Sequence, residues 1–134
     1  MAEPLRIADV MTRSPISIDI DASLQQAQRM MKEKAVRHLP VTRQGRPASL
    51  LSDRDIHLAV AANKDLQAAE TLSVGDVCTL QTYMVSPGAS LAEVAGYMAE
   101  KQIGSTLVVD GEELVGIFTA TDACKQLSRL LGNG

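Results

Sequence analysis

Aromatic residues are scarce in this sequence: Tyr83, Tyr97 and Phe118 are the only rings among 134 residues, and tryptophan is absent. A protein that holds single strands by stacking bases on aromatic side chains would be poorly equipped with three rings. Only two cysteines occur, Cys78 and Cys124, which excludes a disulfide scaffold and a four-thiolate metal site. No stretch approaches the roughly 18 uninterrupted apolar residues of a membrane span. Glu3, Pro4, Arg6 and Asp9 break up any signal-like apolar core near the N-terminus. Neither sign of charge dominates, since 13 Lys and Arg stand against 16 Asp and Glu for a net −3. Such a balance gives no general attraction to nucleic acid. What is present, 46% hydrophobic and 22% charged residues, is the composition of a globular chain. A cytoplasmic protein with reduced thiols and no membrane segment is expected.

The most informative feature is an internal repeat. Asp9-Val10-Met11-Thr12 returns as Asp76-Val77-Cys78-Thr79, and the same 67-residue offset holds without a gap. Ala22-Ser23-Leu24 falls on Ala89-Ser90-Leu91, Met31 on Met98, Glu33-Lys34 on Glu100-Lys101, Val41 on Val108 and Asp55 on Asp122. Over residues 9–57 against 76–124, 11 of 49 positions are identical, which marks a tandem duplication.

Each half reads as strand, helix, strand, strand, helix. Ile16 to Ile20 alternates with period two as a short strand, and Tyr83-Met84-Val85 is its weaker counterpart. Ser23-x-x-Gln26 and Ser90-x-x-Glu93 are capping boxes opening a helix in each half. Hairpins follow, with turns expected at Gln44-Gly45 and Asp110-Gly111. Helices at about 53–62 and 120–131 close the halves, the second with Ala123, Leu127, Leu130 and Leu131 expected to face inward. The fold class is α+β: two βαββα units, each with a three-stranded sheet, packed about a pseudo-two-fold axis. The domains are expected at residues 5–62 and 75–131, joined by a linker over 63–74 with a short helical turn around Leu66 to Thr71.

The junction after each hairpin repeats one polar pattern. Ser52-Asp53-Arg54-Asp55 matches Thr119-Ala120-Thr121-Asp122, a hydroxyl three residues before a carboxylate. Taken one copy at a time, this is first of all a helix capping box. A helix N-terminus also presents free amides to a phosphate, and a carboxylate one turn in can accept from two ribose hydroxyls. The two readings are compatible. Residues 1–67 carry a net +2 and residues 68–134 a net −5. Among the cations Arg37, Arg43, Arg46 and Arg54, only Arg54 lies within the motif and is the candidate anion contact; the others read as solvated hairpin charges. Catalysis finds little support: His38 and His57 share no ligand spacing with an acid or cysteine cluster, no Gly-rich phosphate loop is present, and Cys78 reads as small packing. No metal site, catalytic residue or catalytic cofactor is expected.

These motifs, in order, resemble a tandem CBS-domain pair. The resemblance rests on Asp-Val-Met-Thr, Arg37-His38-Leu39-Pro40-Val41 and Leu51-Ser52-Asp53-Arg54-Asp55-Ile56 in the first half. In the second it rests on Ile103 to Val109 and Gly116-Ile117-Phe118-Thr119-Ala120-Thr121-Asp122. It covers residues 5 to about 131. The resemblance implies a regulatory module that binds an adenosine-containing ligand (AMP, ADP, ATP or S-adenosylmethionine) in clefts between the two domains. It further implies a flat homodimer and an effector protein still to be identified. By position, the nucleotide-binding residues are Ser52 and Asp55, with Thr119 and Asp122. Arg54 is the candidate phosphate contact, while Ile18, Pro40, Tyr83, Ser105 and Thr121 are weaker candidates for base or ribose. Ser49 replaces the motif glycine that the second half keeps as Gly116, and its bulk is expected to narrow one cleft. The alternative is a ligand-free dimerisation module whose acid motifs serve only as caps.

Overall fold

The computed structural model describes residues 4–13, 16–63, 68–78 and 82–132. In chain order the elements are α1 (Ile7–Val10), β1 (Thr12–Arg13), β2 (Ile18–Asp19), α2 (Leu24–Lys34), β3 (His38–Arg43), β4 (Arg46–Ser52) and α3 (Asp53–Ala62), followed by α4 (Ala68–Thr71) and α5 (Val74–Val77). The order continues with β5 (Met84–Val85), α6 (Leu91–Lys101), β6 (Ser105–Asp110), β7 (Glu113–Thr119) and α7 (Ala120–Gly132). Of the expected linker helix, α4 is the described part, and Leu66 and Gln67 lie outside the described residues.

Two compact units result. A central unit comprises Ile16–Thr82, and a terminal unit comprises Met1–Pro15 with Tyr83–Gly134. The units cut across the repeats, because each takes the Asp-Val-x-Thr segment that precedes the other half's sheet. Backbone hydrogen bonds from the residues just before that segment hold it in the terminal unit: Ile7 and Ala8 donate to the carbonyls of Ala89 and Pro87, both at 2.9 Å. In the central unit Val74 and Gly75 donate likewise to Ala22 and Ile20, both at 2.8 Å.

The central sheet runs β2-β3-β4, with β2 parallel and β4 antiparallel to β3. The terminal sheet has a fourth strand beyond the three expected, in the order β1-β7-β6-β5, because Thr12 and Arg13 pair antiparallel with Ile117 and Gly116. The central core gathers Leu24, Ala27 and Met31 of α2 with Leu39, Val41, Leu51, Ile56 and Val74. The terminal core is built from Ile7, Val94, Met98, Val108 and Phe118. In both, the helix contributes an i, i+3/i+4, i+7 stripe, which periodicity alone predicts.

The hydroxyl half of each expected helix cap forms, with Ser23 Oγ accepting from Gln26 N at 3.1 Å and Ser90 Oγ from Glu93 N at 3.3 Å. Both helices end on a left-handed residue, Ala35 at φ 54° and Gln102 at φ 57°, one repeat apart. The central hairpin turns through Gln44-Gly45 as expected. In the terminal hairpin Asp110 pairs with Glu113, so the turn is Gly111-Glu112, one residue later than expected. Gly111 takes the first turn position at φ 64°, the left-handed region that favours glycine, and Asp110 is still strand.

One expectation about α7 is overturned. Ala123 packs against the terminal core. Leu127, Leu130 and Leu131, expected inward, are 55%, 60% and 73% exposed. The neighbouring α1 has four residues, about 6 Å of helix, too short to cover a 13-residue partner.

The Gly116/Ser49 difference between halves has a structural counterpart. A Cβ on Gly116 would meet Met11 Sδ at 2.5 Å and the Thr12 carbonyl oxygen at 2.9 Å. In the central unit the larger Ser49 is buried, its hydroxyl 3.4 Å from that of Thr82, and Cys78 stands one repeat from Met11. The smaller side chain accompanies the larger strand residue. Gly116→Ser is expected to cost about 1–3 kcal/mol in chemical denaturation. Met11→Cys in the same chain should restore only part of that, because the Thr12 carbonyl stays in place; full additivity of the two losses would refute the pairing. Ala35→Gly should raise stability by about 1 kcal/mol, relieving a left-handed Cβ.

Candidate functional site

The two hydroxyl-x-x-acid junctions sit where a strand passes into a helix with no intervening loop. At the central junction Ser52 ends β4 and caps α3: Ser52 Oγ accepts from Asp55 N at 3.0 Å, and Ser52 N donates to Asp55 Oδ2 at 3.1 Å. At the terminal junction Thr119 ends β7. Asp122 N donates to Thr119 Oγ1 at 3.2 Å and Thr119 N donates to Asp122 Oδ2 at 3.0 Å. Both are complete reciprocal caps, the arrangement the spacing predicts. All four side chains remain partly accessible.

The terminal junction holds one further donor, Thr12, whose Oγ1 lies 3.4 Å from Asp122 Oδ1. Thr12 lies outside the hydroxyl-x-x-acid motif and is a site residue that the motif does not indicate. Its signal was the repeated Asp-Val-x-Thr segment, and its partner in the other half, Thr79, lies outside the described residues. Asp122 thus faces three donor groups: Thr12 Oγ1, Thr119 N and Thr119 Oγ1, the last at 3.1 Å.

Around the central junction the fold collects more charge than the motif alone contains. Asp53 N donates to the Arg37 carbonyl at 2.8 Å, which ties the start of β3 to the start of α3. A crevice of about 280 Å³ lies here, lined by Arg37, His38, Ser52, Asp53, Arg54, His57 and Leu58. Asp53 Oδ2 is 3.7 Å from His57 Nδ1. Burial holds the His38 pKa below its ordinary value, with Arg37 acting in the same direction and Asp55 and Asp53 against it. The related crevice of the terminal unit, about 440 Å³, includes Gly104, Ala120 and Cys124, one repeat from Arg37, Asp53 and His57. No charged side chain lines it.

The weaker candidates are placed less favourably. Ile18 is 3% exposed within the core of the central unit, where it acts as a packing residue. Pro40 and Ser105 are also buried. Tyr83 stacks on Tyr97 with ring centroids 4.5 Å apart. Burial pushes its phenol above the ordinary tyrosine range, and Tyr97 and Glu93 add to the shift. Thr121 is exposed on the first turn of α7, one repeat from Arg54. Among the described residues no group of three His, Cys, Asp or Glu side chains is placed to hold a metal ion, and no helix is long and apolar enough to cross a membrane.

The chain matches the family model described as CBS domain twice, over residues 7–62 and 74–129. It is 32% identical over 124 residues to the CBS domain-containing protein YhcV of Bacillus subtilis, a match covering 91% of this chain and 86% of YhcV. The CBS domain pair of protein MJ0100, solved in complex with 5′-methylthioadenosine and S-adenosyl-L-methionine, has the same fold at a TM-score of 0.82 and 24% identity, covering 98% of both chains. CBSX2, solved in complex with AMP, superposes at a TM-score of 0.79 with 23% identity, covering 93% of this chain and 97% of that one. Two family matches, each spanning a strand-to-helix junction with a hydroxyl and an acid, establish that this chain belongs to the CBS domain family as a tandem pair.

Proposed function

We propose that the chain is a non-catalytic regulatory module that binds an adenosine-containing ligand of the AMP, ADP, ATP or S-adenosylmethionine class. The observation that carries this reading is the repeated junction: a hydroxyl and a carboxylate, partly accessible at a helix start, in Ser52/Asp55 and again in Thr119/Asp122. Asp55 and Asp122 take the ribose hydroxyls in this reading, and Ser52 and Thr119 lie beside the ribose or phosphate. Arg54 supplies charge for a phosphate. The complexes of MJ0100 and CBSX2 with adenosine compounds support the ligand class. Regulation follows if the ligand prefers one of two arrangements of the chain, since it shifts their equilibrium only by its difference in affinity. The arrangement is read out by a cytoplasmic effector protein or by a second copy.

The reciprocal caps favour a second reading, in which both motifs only start helices and the chain is a ligand-free dimerisation module. A thermal-shift panel of AMP, ADP, ATP and S-adenosylmethionine separates the two. A ligand at a hundred times its Kd should stabilise the chain by about 2.7 kcal/mol. Asp55→Ala and Asp122→Ala each lose a cap worth about 1 kcal/mol under either reading. The informative quantity is therefore the ligand-induced shift, which should fall in at least one variant. No shift with any compound would favour the scaffold.

Homodimerisation is proposed through the leucine face of α7, whose exposed Leu127, Leu130 and Leu131 form an apolar stripe. Sedimentation should show a dimer for the parent chain and a monomer for Leu130→Glu. A parent chain that stays monomeric at tens of micromolar would exclude it.

A further inference from the structure

Resting on the adenosine-binding reading, the geometry points to a division between the repeats: the Ser52–Asp55 junction selects for a 5′-phosphate through Arg37 and Arg54, and the Thr119–Asp122 junction binds adenosine without that selection. The central crevice brings two guanidinium groups and two imidazoles to the first turns of α3, with Ser52 on its wall and Asp55 next along the helix. Its one carboxylate, Asp53, is set against His57 at 3.7 Å. One repeat later both guanidinium groups and both imidazoles are gone: Arg37 becomes Gly104, His38 becomes Ser105, Arg54 becomes Thr121 and His57 becomes Cys124. Only Lys125, in place of Leu58, adds a positive charge.

The energetic consequence is direct. A phosphate that leaves water without meeting a cation bears a large desolvation penalty. Hydrogen bonds from guanidinium to phosphate are about twice as strong as neutral ones, and the planar fork can engage two oxygens. The terminal junction offers neutral donors and one ammonium, Lys125, with no guanidinium fork, and the crevice beside it is lined by groups such as Met98, Phe118 and Ala123. Either acid can accept from the adenosine hydroxyls. What differs between the junctions is the treatment of the 5′ group. Arg43, at the tip of the central hairpin, does not contribute: it lies at a separate cavity of about 670 Å³ together with Asp19, Asp21 and Asp76.

Isothermal titration of adenosine and AMP against single-junction variants tests this. In Asp122→Ala, which leaves the central junction, AMP should bind about tenfold or more tightly than adenosine, the size of one charge-assisted hydrogen bond. In Asp55→Ala the two should agree within about twofold. Adding Arg54→Thr or Arg37→Ala to the Asp122→Ala chain should collapse the AMP preference, weakening AMP more than adenosine. Asp→Asn versions of both acids, which keep an acceptor at the cap, guard against loss of folding. Equal AMP preference at both junctions, a stronger preference in Asp55→Ala, or a preference indifferent to both arginines would overturn the division while leaving adenosine binding intact. Absence of binding by the parent chain, or binding that survives loss of both acids, would overturn the adenosine reading and this inference with it.

Discussion

A helix that begins on the residue after a strand has no loop from which to recruit partners for its first amides. In this chain α3 starts at Asp53 directly after Ser52, and α7 starts at Ala120 directly after Thr119. The first helical amide of each goes to a backbone carbonyl, Asp53 N to Arg37 and Ala120 N to Gly104, and hydroxyl-x-x-acid satisfies two more reciprocally, those of the hydroxyl residue and of the acid. The requirement also decides what the junction can offer a ligand. A hydroxyl, a carboxylate and the positive end of a helix are brought together first for folding. Chemistry that uses them starts from a group already oriented by the fold.

The same economy governs the sheets. A βαββα half has a small core, and each unit completes its own with a segment from the neighbouring half. Ile7 enters the core of the terminal unit, and Val74 and Cys78 that of the central unit. Met11 then lies on Gly116 so closely that no Cβ fits between them. The exchange carries Thr12 to Asp122, 110 residues away in sequence. A packing requirement therefore supplies a donor to the acid of the candidate site.

Much of this was legible in the sequence because it is local. Caps at Ser23, Ser90, Ser52 and Thr119, the Gln44-Gly45 turn and the helical stripes of α2 and α6 depend on residues within a turn or two of one another. The exchange of segments depends on contacts across most of the chain, and the repeat gave its pattern without its pairing. Periodicity also marks which face of α7 is apolar but not whether anything lies against it, so Leu127, Leu130 and Leu131 read as core and stand exposed. Arg37 read as a solvated hairpin charge because its link to the α3 start runs through a backbone bond from Asp53, which no side-chain pattern reports.

The two acids also differ in how firmly the fold already holds them. Among the described residues, Asp55 accepts from the Ser52 amide, while Asp122 accepts from the Thr119 amide and hydroxyl and from Thr12. A ribose that draws a carboxylate away from its cap must replace those bonds, and each replaced bond reduces the net gain by about 1 kcal/mol. Asp55 is therefore the less costly acid to redirect, and it is the one beside the arginines. Asp122 is the more firmly positioned, so a ligand there gains most by adding to the existing bonds in place. Charge and cap strength thus separate the junctions in the same sense: one is adaptable and carries two guanidinium groups, the other is rigid and carries none.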